Sequence, residues 1–535
     1  MKKIIFVFWF LVVFLGLYSE IRMVAEWEPM IGTLIRWPLG IPQDLVVELA
    51  SDDSLFVLVQ NSTQESHAIG LFSNAGVNLS NVRFIYATTN THWTRDWGPH
   101  SAFINGEYTI INPIFDGYPW VPGRSRLYDD DNMVNITLAD ELNANLVNFP
   151  AYLTGGNFMS DGYTTAFSTQ QMLDENLPLH SYQEFIDLSA EFLGIENYQF
   201  TINPEFHGIQ HIDCWAKLLN EETVLVKKLE ISHPEYHRAE TLATFFANQT
   251  NVYGENYLVK RIECPDYAYN QAAAYTNSLI LNKKVLVPLF GIPADSLALQ
   301  TYREAMPGYM VKGFYFNAWY YYDALHCRTM GIADRDMLRI EHIPQSLIES
   351  SDDTITLSAK IIAYSAYDLN NSNLKLHYSK LNEGFWQEIT LSSTGDGFYS
   401  AEISDILNDE LIEYYFEAED DFGKHAFLPV NAPNTFFSTS VLTNVSNHDV
   451  VQPQKRVFLY PNPVKDMLNL SILSSKANNN NISIYNIKGQ KIYSSDINID
   501  KFSLKISQLK LNSGIYYLKI QNTELNEIKR FLYIK

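Results

Sequence analysis

From Gly32 to about Ala333, short strand patterns alternate with helical runs, a rhythm that few fold classes accommodate. Gly32-Thr33-Leu34-Ile35-Arg36-Trp37 alternates as a strand does, and the apolar runs at 55–59, 82–86, 223–226 and 284–288 read the same way. Between them, 64–72, 181–193, 235–247 and 295–306 carry the spacing of amphipathic helices. Strands separated by helices imply an α/β or α+β domain. About five strand–helix modules fit, although no clean repeat is visible.

The texture changes after about Arg339. Strand patterns at 354–363, 374–379, 386–391, 397–403 and 412–420 follow one another closely. Turn signals such as Asp368-Leu369-Asn370-Asn371 and Gly395-Asp396-Gly397 separate them. This reads as a small immunoglobulin-type β-sandwich over 341–440, without the Cys–Trp–Cys spacing of antibody domains. A polar linker, 441–456, leads to a last module, 457–535, whose alternating β-branched and aromatic residues predict a second sandwich. At the other end, Met1-Lys2-Lys3, the apolar run 4–14 and Ser19 have the form of a signal peptide, 1–19. That run is short of the ~20 apolar residues a spanning helix needs, and no other run is long enough. Residues 20–340 then form the largest domain.

With a formal net charge of −23, the chain has no basic field to displace counterions, which argues against a nucleic-acid partner. Its 3 cysteines allow at most one bridge, so in an exported protein one thiol is left over. Four segments join unusual residues to turns. In Trp93-Thr94-Arg95-Asp96-Trp97-Gly98-Pro99, Asp96 precedes a Gly-Pro pair and suits a site carboxylate, a turn cap or a partner for Arg95. In Gly155-Gly156-Asn157, adjacent glycines let backbone pass close to something or simply turn. In His211-Ile212-Asp213-Cys214, an extended strand would put His211 and Asp213 on one side and Cys214 on the other, toward the core. Such a His–Asp pair suits an acid/base group beside a carboxylate. It also suits metal ligation, but no third ligand stands at a matching spacing.

The fourth segment is His326-Cys327-Arg328. Flanking positive charge lowers a thiol pKa, so Cys327 is the candidate nucleophile. Cys264 reads as structural, with a bridge to Cys214 left open. One thiol, one imidazole and two carboxylates make an odd set for a peptidase. They suit a guanidinium, whose planar, cationic fork matches carboxylate oxygens while sulfur approaches the central carbon. The papain-like alternative lacks its sequence context.

These segments, with Asn277 in Tyr275-Thr276-Asn277-Ser278, stand in the order of the guanidino-group-modifying enzymes. The chain resembles the branch joining agmatine deiminases to the Porphyromonas-type peptidylarginine deiminase. The resemblance implies a pseudo-fivefold α/β propeller of ββαβ modules followed by two small β-sandwich domains. It implies Cys327 as nucleophile, Asp96 and Asp213 as guanidinium-holding carboxylates and His211 as acid/base. Trp93, Asn277, Gly156 and Asn157 become substrate-binding residues. No metal or organic cofactor is expected, calcium entering only as a structural ion. The last module, with Tyr460-Pro461-Asn462-Pro463, Ile484-Tyr485-Asn486 and Ser513-Gly514-Ile515-Tyr516-Tyr517, resembles the type IX secretion C-terminal sorting domain. That implies export, with the secretion machinery as a partner.

The expected substrates are arginine-containing peptides or proteins, or small guanidines. Arg124 and Arg126 share a face if extended and suit a clamp for the carboxylate of a C-terminal arginine, or a surface pair answering Asp129-Asp130-Asp131. Tyr322-Asp323-Ala324-Leu325 replaces the consecutive glycines that agmatine deiminases carry before His-Cys, which leans toward peptidyl-arginine. The alternatives are an exported agmatine or free-arginine deiminase, and a catalytically silent surface-binding protein on the same scaffold.

Overall fold

The computed structural model describes residues 20–119, 121, 128–350, 352–380 and 385–443. Further on it describes 456–460, 464, 466–473, 480–486, 490–497, 501–512, 514–521 and 526–533. The expected signal peptide, most of the linker, and Arg124 with Arg126 lie outside the described residues. The chain divides into two compact units, Met1–Asn444 and Val445–Lys535.

The first part of the larger unit is built of small mixed sheets that share one plan. In each, an antiparallel pair is followed by a helix and a strand parallel to its predecessor. Parallel neighbours need such a crossover. Thr223–Lys228, for example, pairs antiparallel with Ala216–Leu218. It then pairs parallel with Leu258–Glu263 across the helix Tyr236–Ala247. Leu279–Leu281, Lys284–Leu289 and Met310–Tyr315 repeat this around Ala294–Ala305. Met159–Ser160, Thr165–Thr169 and Asn197–Thr201 do so around Tyr182–Leu193. His100–Ile104, Glu107–Ile114 and Asn145–Tyr152 do so around Asp129–Glu141, with Ile21–Met23 added at the edge.

Central strands covered on both faces read as unbroken apolar runs. Accordingly Val224, Leu225, Val226, Val285, Leu286 and Val287 are fully buried. Helix ends follow local chemistry. Ser181 and Glu184 form a reciprocal capping box at the start of Tyr182–Leu193, and Gly194, in the left-handed region, ends it.

The remaining sheet positions the site. Met30–Arg36, Ser54–Val59 and Val82–Tyr86 run parallel, and Met330–Ala333 joins antiparallel to Met30–Arg36 from the far end of this part of the chain. Gly32 permits the close approach of Met30–Arg36 to Ser54–Val59, since a Cβ would lie 1.8 Å from the Ser54 carbonyl oxygen. Closing the first sheet with the last strand brings the segment before Met330, which holds Cys327, back to the N-terminal half.

Beyond it, Leu338–Glu341, Ile355–Ala363, Phe398–Ile403 and Ser392–Gly395 form one sheet. A second contains Leu347–Ser350, Phe437–Thr443, Glu410–Glu419, Lys375–Lys380 and Gln387–Thr390. Alternate residues of both, such as Leu357, Ile361, Leu376 and Phe416, share one apolar core. In the smaller unit, Asn480–Asn486, Lys491–Ile497, Gly514–Gln521 and Asn526–Tyr533 form an antiparallel sheet. Its Ile482, Ile484, Leu518 and Phe531 are buried with Leu468 and Leu470 of Met467–Leu473.

Candidate active site

Each of the four sequence segments ends in a single helical turn: Thr94–Trp97, Gly155–Asn157, Ile212–Cys214 and His326–Arg328. Side chains leave such turns in diverging directions, so packing turns together aims several at one point. Asp96, His211, Asp213 and Cys327 are each at most 2% exposed, which places the convergence in the interior.

Cys327 is held through Asn277. The Asn277 Oδ1 accepts the backbone N–H groups of His326 at 2.9 Å and Cys327 at 3.3 Å. Its Nδ2 donates to both Cys327 Sγ and Cys214 Sγ at 3.3 Å. The Cys327 thiol faces Asp213 Oδ2 at 3.8 Å. Across from it, His211 Nδ1 lies 3.5 Å from Asp96 Oδ1, an oxygen that also accepts the Gly156 N–H at 3.3 Å. A Cβ at Gly156 would come within 2.5 Å of His211 Nδ1 and 2.7 Å of Asp96 Oδ1. The glycine is therefore what lets imidazole and carboxylate close up. Tyr118 covers the pair, its ring 5.4 Å from the His211 ring and 5.5 Å from Trp93, its hydroxyl donating to Asp96 Oδ2. Asn157 accepts the N–H groups of Thr169 at 3.0 Å and Ile212 at 3.3 Å, which braces the turn carrying Asp213.

Three sequence readings change. His211 and Asp213 do not lie along one strand: His211 is extended and Ile212–Cys214 turns directly after it. Cys214 consequently does not face away; its sulfur shares the Asn277 amide with Cys327. The cysteines are all free, so Cys214 and Cys264 are not bridged. The cations beside Cys327 are spent elsewhere. Arg328 clasps Asp323 at 2.9 Å and the carbonyls of Gly40 and Ala318. His326 lies between Asp213 at 2.7 Å and Glu26 at 2.6 Å. Burial, with Asp213, Asp96 and Asp323 adding to it, pushes the Cys327 thiol up to about 12, despite the neighbouring Cys214.

The two carboxylates are set apart. Burial, then Asp213 and Asp323, hold Asp96 well above the usual range, only partly countered by the Tyr118 hydroxyl. For Asp213, burial is more than offset by the hydrogen bond and charge of His326, with His211 and Lys217 helping, and its carboxyl is held below the usual range. Asp213 Oδ1 has no hydrogen-bond partner among the described residues, which leaves it for a cationic donor.

Two residues escaped the sequence reading. Glu26 holds His326 and also accepts from Lys217 Nζ at 2.8 Å and the Ile280 N–H at 2.9 Å. Asp323 accepts from the Trp93 indole N–H at 3.0 Å and fixes Arg328 beside it. Neither stands in a conspicuous cluster. Asp213, Cys214 and Cys327 also offer ligand atoms within 4.8 Å of one another, a set suited to a soft divalent cation that spacing along the chain had not suggested.

The family model described as Porphyromonas-type peptidyl-arginine deiminase matches residues 22–332. The one described as a secretion system C-terminal sorting domain matches residues 458–535. A Mycoplasma mycoides protein described as "Putative agmatine deiminase" is 23% identical over 329 residues, which is 54% of this chain and 89% of that one. The solved agmatine deiminase of Enterococcus faecalis superposes with a TM-score of 0.52 at 20% identity, over 59% of this chain and 96% of that one. At that identity the shared property is the fold. The C-terminal sorting domain marks the chain for secretion or cell-surface attachment. Among the described residues no helix is long and apolar enough to cross a membrane.

Proposed function

Because the chain belongs to the Porphyromonas-type peptidyl-arginine deiminase family, we propose that it is an exported hydrolase converting the guanidinium of peptidyl-arginine, at a C-terminal position, to a ureido group with release of ammonia. The observation that carries this reading is the convergence of Cys327 Sγ, Asp213, Asp96 and His211 in one buried site. Two carboxylates hold and offset the substrate cation. A thiol held protonated by burial and by surrounding negative charge ionises more readily once that cation arrives.

The Cys327 thiol passes its proton to His211, and the thiolate attacks the guanidinium carbon. The C–N bond to one terminal nitrogen breaks, and His211 protonates the departing ammonia. An S-alkylthiouronium remains on Cys327. Water, deprotonated by His211, adds to the same carbon, and the thiolate leaves with the ureido product formed. Trp93, Asn277, Gly156 and Asn157 shape the pocket, and Arg124 and Arg126 clamp the substrate carboxylate. No metal or organic cofactor takes part. The small mixed sheets are the blades of a pseudo-fivefold propeller, and the sandwich after it is an immunoglobulin-like domain. The C-terminal module hands the chain to the type IX machinery.

A second reading is an exported agmatine deiminase. It is favoured by the similarity to proteins bearing that name. Colorimetric assay of ureido product from a peptide ending in arginine, a peptide with internal arginine, and agmatine separates the two. Product from agmatine alone would shift the reading to the second, and product that persists in Cys327→Ala would sink the mechanism.

A further inference from the structure

Behind the reactive residues lies a cavity of about 70 Å³. Its polar lining includes Glu26, Arg95, His100, Asp213, Lys217 and His326. Arg95 is only 8% exposed, yet its Nε and Nη2 have no hydrogen-bond partner among the described residues. His100, 5% exposed, lines the same space, and its Nε2 is likewise unpartnered among the described residues. The candidate counterion for Arg95 is already engaged: Glu26 is committed to Lys217, His326 and the Ile280 N–H. A buried guanidinium whose N–H groups are left unmet is strongly disfavoured.

We infer that this cavity is a binding site for a small monovalent inorganic anion of the chloride type, held by Arg95 Nε and Nη2 and by His100 Nε2. The charges lining the cavity support an anion over water alone. His326 also lines the cavity, with one ring nitrogen 2.7 Å from an Asp213 carboxylate oxygen and the other 2.6 Å from a Glu26 carboxylate oxygen. Asp213 and Glu26 are thus engaged by His326, and Glu26 by Lys217 as well, which leaves Arg95 as the lining cation whose Nε and Nη2 meet no carboxylate among the described residues. His100 adds a donor but no charge, since burial and then Arg95 push its pKa down to about 3. Size sets the class of ligand. A single buried water needs about 10–15 Å³ of such space, so the cavity has room for a halide with water beside it and is too small for an organic acid such as gluconate.

The test uses the full chain. Crystals grown in sodium bromide are expected to show an anomalous peak beside Arg95 and His100. In solution, chloride replacing gluconate at constant ionic strength is expected to raise the melting temperature saturably, by roughly 3 °C or more. The rise persists in Cys327→Ala, which separates this site from the deiminase chemistry, and disappears in Arg95→Gln. A cavity holding only water in bromide, or a melting temperature indifferent to chloride in the unsubstituted protein, overturns the inference.

Discussion

The Tyr118 hydroxyl donates to Asp96 Oδ2, on the carboxylate proposed to receive the substrate guanidinium. Gly156 and His211 already face the other oxygen. A bidentate guanidinium therefore has to displace the tyrosine hydroxyl. In Tyr118→Phe that competing bond is gone. With Asp96 protonated in the free protein this is a bond between neutral groups, which contributes about 0.5–1.5 kcal/mol, so KM is expected to fall by about threefold to tenfold, with a matching loss of stability in the free protein. Steady-state kinetics and chemical denaturation check both, and an unchanged KM would show that the hydroxyl stays in place on binding.

Gly156 has a different role, because it is space that matters there. A Cβ would meet His211 Nδ1 at 2.5 Å and Asp96 Oδ1 at 2.7 Å. Gly156→Ala is expected to lower kcat/KM by about 100-fold, as a misplacement of roughly 1 Å does. Thermal stability should change far less, since no apolar packing is lost. A variant with full activity would mean that the two groups need not approach this closely.

The regular elements were legible because periodicity is local. The run at 82–86 is the strand Val82–Tyr86, and 235–247 covers the helix Tyr236–Ala247. A single helical turn has no period to detect, so Ile212–Cys214 was read as strand and Cys214 was aimed the wrong way. Glu26 and Asp323 were invisible for another reason. Each is one carboxylate among many, and its partners, His326 for Glu26 and Trp93 for Asp323, are distant in sequence. Proximity along the chain also misled. His326 and Arg328 flank Cys327, yet both side chains are held by carboxylates.

Asp96 should trade stability for function. Its carboxyl is held well above the usual range by burial and then by Asp213 and Asp323. The folded protein therefore keeps this proton to higher pH than the unfolded chain does. The contribution is full below the unfolded pKa of about 4 and is lost as pH rises toward the folded value. Asp96→Asn escapes that loss. Its melting temperature relative to the unsubstituted protein is expected to climb as pH rises above about 4, while activity vanishes. A difference independent of pH would contradict the raised carboxyl.

His326 works in the opposite direction. For Asp213 and Glu26 the burial penalty is more than offset, with His326 the largest favourable partner of each, and both carboxyls sit below the usual range. Their stabilisation is present above the unfolded pKa of about 4 and is lost as pH falls through the folded values. His326→Asn removes that offset and should move the acid unfolding midpoint upward by about one pH unit. Circular dichroism against pH reads this directly. An unmoved midpoint would mean that Lys217 and His211 suffice.

Cys327 supplies the sharpest contrast between an empty and an occupied site. Its thiol is pushed up to about 12 by burial and the surrounding carboxylates, so in the free protein the thiolate is scarce. Neutral iodoacetamide at about pH 7.5 is expected to label it at least tenfold more slowly than a free cysteine of pKa about 8.5. A cationic reagent of similar size, 2-chloroacetamidine, brings its own positive charge between Asp96 and Asp213 and should label it faster than iodoacetamide does. Mass spectrometry of the labelled peptide gives both rates. Asp213→Asn should abolish the preference, because the cation then loses one of its two anchors. Equal rates for the two reagents in the unsubstituted protein would show that the carboxylates do not govern the thiol, and the guanidinium-holding role proposed for them would fall.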